Sequence, residues 1–210
     1  MWGRKELVVV HGAGLPYRDR SHFDAPNVLA GGGERPYQLQ SGWLGRALAA
    51  GGQPGLALST AVPLLMRGPK DVDTWAPSSL PDPSADLIAR LGRVYANDPA
   101  LGNALMRAQG LRTGGAMPGP QANMMGGAGT GKNAVGTLPA LTHKAAEFML
   151  QPRGPQIVML EQGGWDSHAN LATEKNPFLA NLAQLDESLG TLRDLLAAPN
   201  ANGVWERTVV

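Results

Sequence analysis

Three stretches of this chain carry residue types that could do chemistry. The first is Asp166-Ser167-His168, a carboxylate and an imidazole two residues apart. It follows the apolar run Ile157-Val158-Met159-Leu160, which reads as a buried strand stopped by Gly163-Gly164. In open α/β sheets ligands bind beyond the carboxyl ends of the strands, so this pair falls where a site would be. Asp and neutral His are ordinary ligands for Zn²⁺ or Mn²⁺. A catalytic metal needs further protein ligands or a second metal, so Asp166 and His168 make half a site at most. A turn and a helix cap would use the same residue types.

The second stretch is Arg18-Asp19-Arg20-Ser21-His22-Phe23-Asp24. A serine beside a helix N-terminus has backbone N–H groups and the positive end of the helix dipole nearby. That setting suits an oxygen nucleophile attacking phosphorus or sulfur, because negative charge grows on the acceptor oxygens. Arg18 and Arg20 are the side chains to bind such an anion. The competing reading is a capped helix start with solvated charges. Pro26 fits a first helical turn but not a deeper one, so Asp24 is the expected N-cap, with Ser21 in the loop before it.

The third stretch is a decoy. Gly126 to Asn133 nearly spells a phosphate-binding loop, but Asn133 stands where the Mg²⁺-binding hydroxyl belongs, and no apolar strand precedes Gly126.

These residues need a scaffold, and composition bounds it. The chain has 210 residues, 43% of them hydrophobic, enough for one large domain. The net charge of +1 comes without a basic stripe, so there is no electrostatic case for nucleic acid. No apolar run is long enough to span a membrane, and no secretory signal precedes the first expected strand. With no Cys there are no disulfides, thiolate zinc sites or cysteine nucleophiles. Gly (28) and Pro (17) are frequent enough to imply long loops.

Hydrophobic periodicity then places the elements. Glu6 to Val10 reads as a strand buried on both faces. A short helix ends at Gly31-Gly32-Gly33, and a second runs from Ser41 to Ala50. Leu56 to Ser59 and Val62 to Met66 read as short paired strands, and Asp71 to Pro83 as loop. Ser84 caps a helix through Asn97 with Leu87, Leu91, Val94 and Tyr95 as its stripe; Pro99 opens another. Residues 113–136 read as a flexible Gly-rich loop, and Leu138 to Gln151 as a helix with Leu141, Ala145, Phe148 and Met149 inward. Pro177 opens a helix whose Phe178, Leu182, Leu185, Leu189, Leu192 and Leu196 are expected to pack on the sheet. Arg207 to Val210 reads as the opening of a last strand. This order predicts a three-layer α/β/α sandwich with a mostly parallel sheet: one domain over 1–210, interrupted by a helical excursion at about 84–151. Both ends look cut, as in a fragment.

Taken together, H-G-A-G-L-P-Y-R-D-R-S-H-F-D-A (11–25), S-G-W-L-G-R-A-L (41–48) and G-G-W-D-S-H-A-N (163–170) resemble the bacterial family called domain of unknown function 1501, of the alkaline phosphatase-like (sulfatase-like) superfamily. The resemblance covers nearly the whole chain in the right order. It implies an alkaline phosphatase-like fold, here incomplete at both ends. It also implies a twin-arginine-exported, periplasmic full-length protein and a divalent metal (Zn, Mn, Mg or Ca). By position Asp166 and His168 match the metal-bearing loop, Ser21 is the best-placed nucleophile, and Arg18, Arg20 and His22 would hold a small anionic ester. No Cys-x-Pro-x-Arg or Ser-x-Pro-x-Arg occurs, so formylglycine sulfatase chemistry has no support. The activity implied is metal-dependent hydrolysis of phosphate- or sulfate-ester-like substrates, absent in a fragment lacking part of the site. The alternative is a non-catalytic exported binding protein on the same fold.

Overall fold

The strand Gly55–Ala57 (β1) is buried along its whole length, with a hydrophobic cluster on each of its two faces. This is a computed structural model of the chain, and it describes residues 1–78, 81–113, 136–167, 171, 173 and 176–210. Among them are six α-helices and three strands. β1 pairs in parallel with Asp73–Thr74 (β2) on one side and Ile157–Met159 (β3) on the other, in the order β2-β1-β3. The protein is therefore mixed α/β with a small parallel sheet.

Period-two alternation explains why β1 holds two cores apart. Leu56 and Leu58 point to one face, where they meet Leu141, Ala145 and Phe148. Those three lie on Leu138–Met149 (α5), as the helical spacing predicted. Ala57 points to the other face and meets Leu48 and Met66. Leu48 belongs to Trp43–Gly51 (α2), which follows Asp24–Gly31 (α1). Gly32 and Gly52 end these helices in left-handed geometry, each returning its N–H to a carbonyl four residues back, Val28 and Leu48.

Two tight contacts seat α2. At Gly45 an added Cβ would fall 2.1 Å from the Arg67 carbonyl oxygen, and at Gly42 2.0 Å from that of Leu65. The helix thus lies directly on the backbone of a 3₁₀ turn, Leu64–Met66. Arg46 then reaches back to α1. Its guanidinium donates to the Gly31 carbonyl at 2.9 Å and to the Ser41 carbonyl at 2.8 Å, satisfying a helix end with a charge that suits its dipole.

Several sequence expectations are corrected. Val62 to Met66 is no strand: the Pro63 carbonyl accepts from Met66 and Arg67 N–H, which winds the segment into the 3₁₀ turn. The loop at Asp71 to Pro83 contains β2, too short for periodicity to reveal. The leucine helix, Pro177–Leu196 (α6), packs on α5 rather than on the sheet. Leu192 and Leu196 close over Ala146, a small residue that lets the two helices approach, while Leu182 near the other end is exposed. Ser84 does cap Ala85–Val94 (α3), accepting the Leu87 N–H, but the apolar stripe of α3 buries no residue and Val94 is 72% exposed. Pro99–Thr113 (α4) follows. Most of the Gly-rich loop at 113–136, with Gly126 to Asn133, lies outside the described residues.

Neither terminal strand forms. Val8 is 80% exposed and Val209 97%, and among the described residues neither segment has a ladder partner. β-branched residues favour extended backbone, but a strand is stabilised by its neighbours, not by propensity alone. The segment after Val204 instead winds into a 3₁₀ turn, Trp205–Arg207.

The N-terminal segment is held by charge instead. Arg193 on α6 donates to the Glu6 carboxylate at 3.1 Å, and Arg4 does so at 3.0 Å. Desolvation pushes the Glu6 carboxyl up, but the bonds from Arg193 and Arg4 outweigh it and leave it below its ordinary value. A lowered carboxyl pKa contributes stability above the unfolded-state value and loses it as pH falls through the folded one. Thermal midpoints should therefore fall on acidification through the carboxylate range. Glu6→Gln should make that fall shallower while mattering little near neutrality; identical pH profiles for the two proteins would refute the clamp.

Candidate functional site

Ser21 takes its place because the chain turns into α1 there. Its hydroxyl accepts the Asp24 N–H at 3.1 Å, and its carbonyl accepts the Ala25 N–H. Ser21 is thus the functional cap of α1, which corrects the expectation of an Asp24 cap. The Ser-x-x-Asp spacing carried the signal, since a capping serine bonds the N–H three residues on.

Asp24 is used differently. Its carboxylate accepts the Tyr17 hydroxyl at 3.1 Å. Tyr37 is fixed from behind, in left-handed backbone at φ 58°, by its N–H to the Asn27 side chain at 2.6 Å. Burial and the bond to Asp24 hold the Tyr17 hydroxyl above the usual phenol range. The Tyr37 hydroxyl is raised too, by its interaction with the Asp24 carboxylate, then by burial. The sequence reading missed both tyrosines, because no spacing rule links Tyr37 to a helix start thirteen residues earlier.

Asp166 sits on the loop after β3, and that loop is pinned to the start of α6. Asn181 donates to the Gly164 carbonyl at 2.7 Å, and Gln162 donates to the Asn181 carbonyl at 3.2 Å. Gly164 has φ 82°, which favours glycine there. The Trp165 indole donates to the Gln162 carbonyl and meets the Phe178 ring edge-on at 5.9 Å. Ser167 donates to the Asn176 side chain, which also caps α6 by accepting the Phe178 N–H. Asn176 joins Ser167 to the helix start, a role the sequence reading did not see.

The two chemistry-bearing loops meet. His22 Nε2 lies 3.5 Å from Asp166 Oδ2, and both side chains are half exposed. The His22 ring also packs against Phe23, centroids 4.2 Å apart. Ser21, His22 and Asp166 are thereby brought to one region from opposite ends of the chain. Arg18 and Arg20 are exposed on the same loop and make no ion pair among the described residues. His168 lies outside the described residues. Among the described residues no three His, Asp or Glu side chains cluster as a metal group would require. Asp166 nonetheless offers the hard oxygen donor that Zn, Mn, Mg or Ca accepts.

No family model, curated protein or solved structure gives a significant match to the chain. No helix among the described residues is long and apolar enough to cross a membrane.

Proposed function

We propose that the chain is part of a metal-dependent hydrolase of phosphate- or sulfate-ester-like substrates, built on the three-layer alkaline phosphatase-like plan its motifs resemble. The observation that carries this reading is the His22–Asp166 contact, which joins the expected nucleophile loop to the expected metal loop. The parallel sheet with helices on both faces is compatible with that plan. Asp166 and His168 are the residues that would hold the metal, which would lower the pKa of a bound oxygen and clamp developing charge. His22 orients the Asp166 carboxylate, as outer partners of a ligand do. Ser21 attacks, held by the Asp24 N–H, and Arg18 and Arg20 bind the anionic ester. The full-length protein is assigned to the periplasm, from the same resemblance.

The test is turnover of p-nitrophenyl phosphate and p-nitrophenyl sulfate by a full-length version, with and without chelator. Activity should vanish with chelator and return with added metal. Asp166→Ala should lower kcat/KM by about a hundredfold or more, and His22→Ala by about 10- to 100-fold. Turnover indifferent to chelator and to Asp166→Ala would overturn the proposal. A folded protein with no bound metal, tolerant of changes at Ser21 and Asp166, would favour the non-catalytic binding protein.

A further inference from the structure

We infer that a cleft at the amino ends of β1 and β3 binds a small apolar carboxylate, held through Arg153. β1 and β3 run parallel, so the residues leading into them, Pro54 and Pro155, share one end of the sheet, and both line the cleft. Gly110 and Leu111 of α4 line it as well, and the cavity has a volume of about 240 Å³. The loop bearing Asp166 leaves β3 from its opposite end, and the cleft shares no residue with the hydrolytic site proposed above.

Three features set the chemistry of the ligand. The walls are mostly apolar: Pro54, Pro155 and Leu111 line them, with buried Leu56 and Phe148 behind. An apolar body in such a cavity removes that surface from water, and a few polar groups then fix its orientation. Arg153 is exposed, lines the cleft and makes no ion pair among the described residues. Its planar fork matches the two oxygens of a carboxylate. The second guanidinium of the cleft is already matched, since Arg107 donates to the Asp73 carboxylate at 2.9 Å and lies 3.7 Å from that of Asp71. One uncompensated positive charge suits a monoanion. A phosphate dianion would meet Asp73, which also lines the cleft, and would leave the apolar walls uncovered. Gly110 leaves room for the ligand beside α4, because a Cβ added there would meet nothing within 4 Å.

The experiment titrates benzoate into the isotope-labelled chain and follows the backbone amide signals. Benzoate should shift the amides of Gly55, Gly110 and Gly154, which line the cleft, and leave those of Ser21 and Asp166 unmoved. Benzamide keeps the ring without the charge, and inorganic phosphate keeps charge without the ring. Each should bind more weakly than benzoate by about tenfold or more, the size of a lost charge-assisted bond or a lost apolar contact. Arg153→Gln should weaken benzoate binding by about the same factor. Gly110→Phe should abolish it by placing a ring in the cleft. Arg153 is exposed, so its variant serves if Gly110→Phe fails to fold. No shift at the cleft glycines would overturn the proposal. So would benzamide or phosphate binding as tightly as benzoate, or Arg153→Gln binding benzoate like wild type. None of these outcomes depends on whether the chain hydrolyses an ester.

Discussion

Phe148→Ala should destabilise the protein by about 3–5 kcal/mol, the usual range for deleting a buried phenylalanine. Phe148 has no exposed surface and stands between α5 and β1, touching the Leu56, Leu58 and Leu141 cluster. Its ring also meets Trp75 edge-on at 5.9 Å, and the Lys144 ammonium lies 5.3 Å from its centroid. Truncation therefore removes packing on the sheet, an aromatic pair and a cation–π partner at once. For a chain of this length that corresponds to a fall of roughly 10 °C in thermal midpoint. Phe148→Leu, which keeps most of the volume, should recover the larger part. A midpoint unchanged by Phe148→Ala would mean that α5 does not seal the sheet.

Gly45→Ala should cost about 3 kcal/mol or more, although alanine is the better helix former. The new Cβ would stand 2.1 Å from the Arg67 carbonyl oxygen and 2.6 Å from that of Met66. Backbone cannot rotate aside as a side chain can, so α2 would lift off the 3₁₀ turn. That turn supplies Met66, the buried partner of Ala57 on the second face of β1. The comparison that isolates the contact is Gly92→Ala on α3, where a Cβ meets nothing and helix propensity should prevail. Urea midpoints for the two variants should move in opposite directions. A Gly45→Ala protein as stable as wild type would show that α2 and the turn are not in contact in solution.

The parts of this fold that were legible in the sequence share one property: their pattern is local. Ser84 announces α3, Pro177 announces α6, and Leu141, Ala145 and Phe148 announce the inner face of α5. What each element packs against was less legible. Leu192 and Leu196 have the same spacing whether they meet a strand or Ala146, so the stripe could not choose between them. Val8 to Val10 have strong β propensity, yet a strand needs a neighbour, and propensity names none. β2 escaped notice because two residues, Asp73 and Thr74, show no alternation at all. At the candidate site the residue types of Ser21, His22 and Asp166 drew attention, and the structure brings them to one region. Tyr17 did not, because its bond to Asp24 is a property of the folded chain.

The order β2-β1-β3 also bears on how quickly the protein reaches this state. β1 meets β2 across a short connection, but Leu56 meets Val158 only after about a hundred intervening residues have been brought round. The α2 face can close early, from chain that is near in sequence. The α5 face, and β1's second edge, must wait for a long loop to close before any contact repays its entropy. Folding should therefore be slow for the protein's size, and a nascent chain carries β1 with one backbone edge open to other chains until β3 arrives.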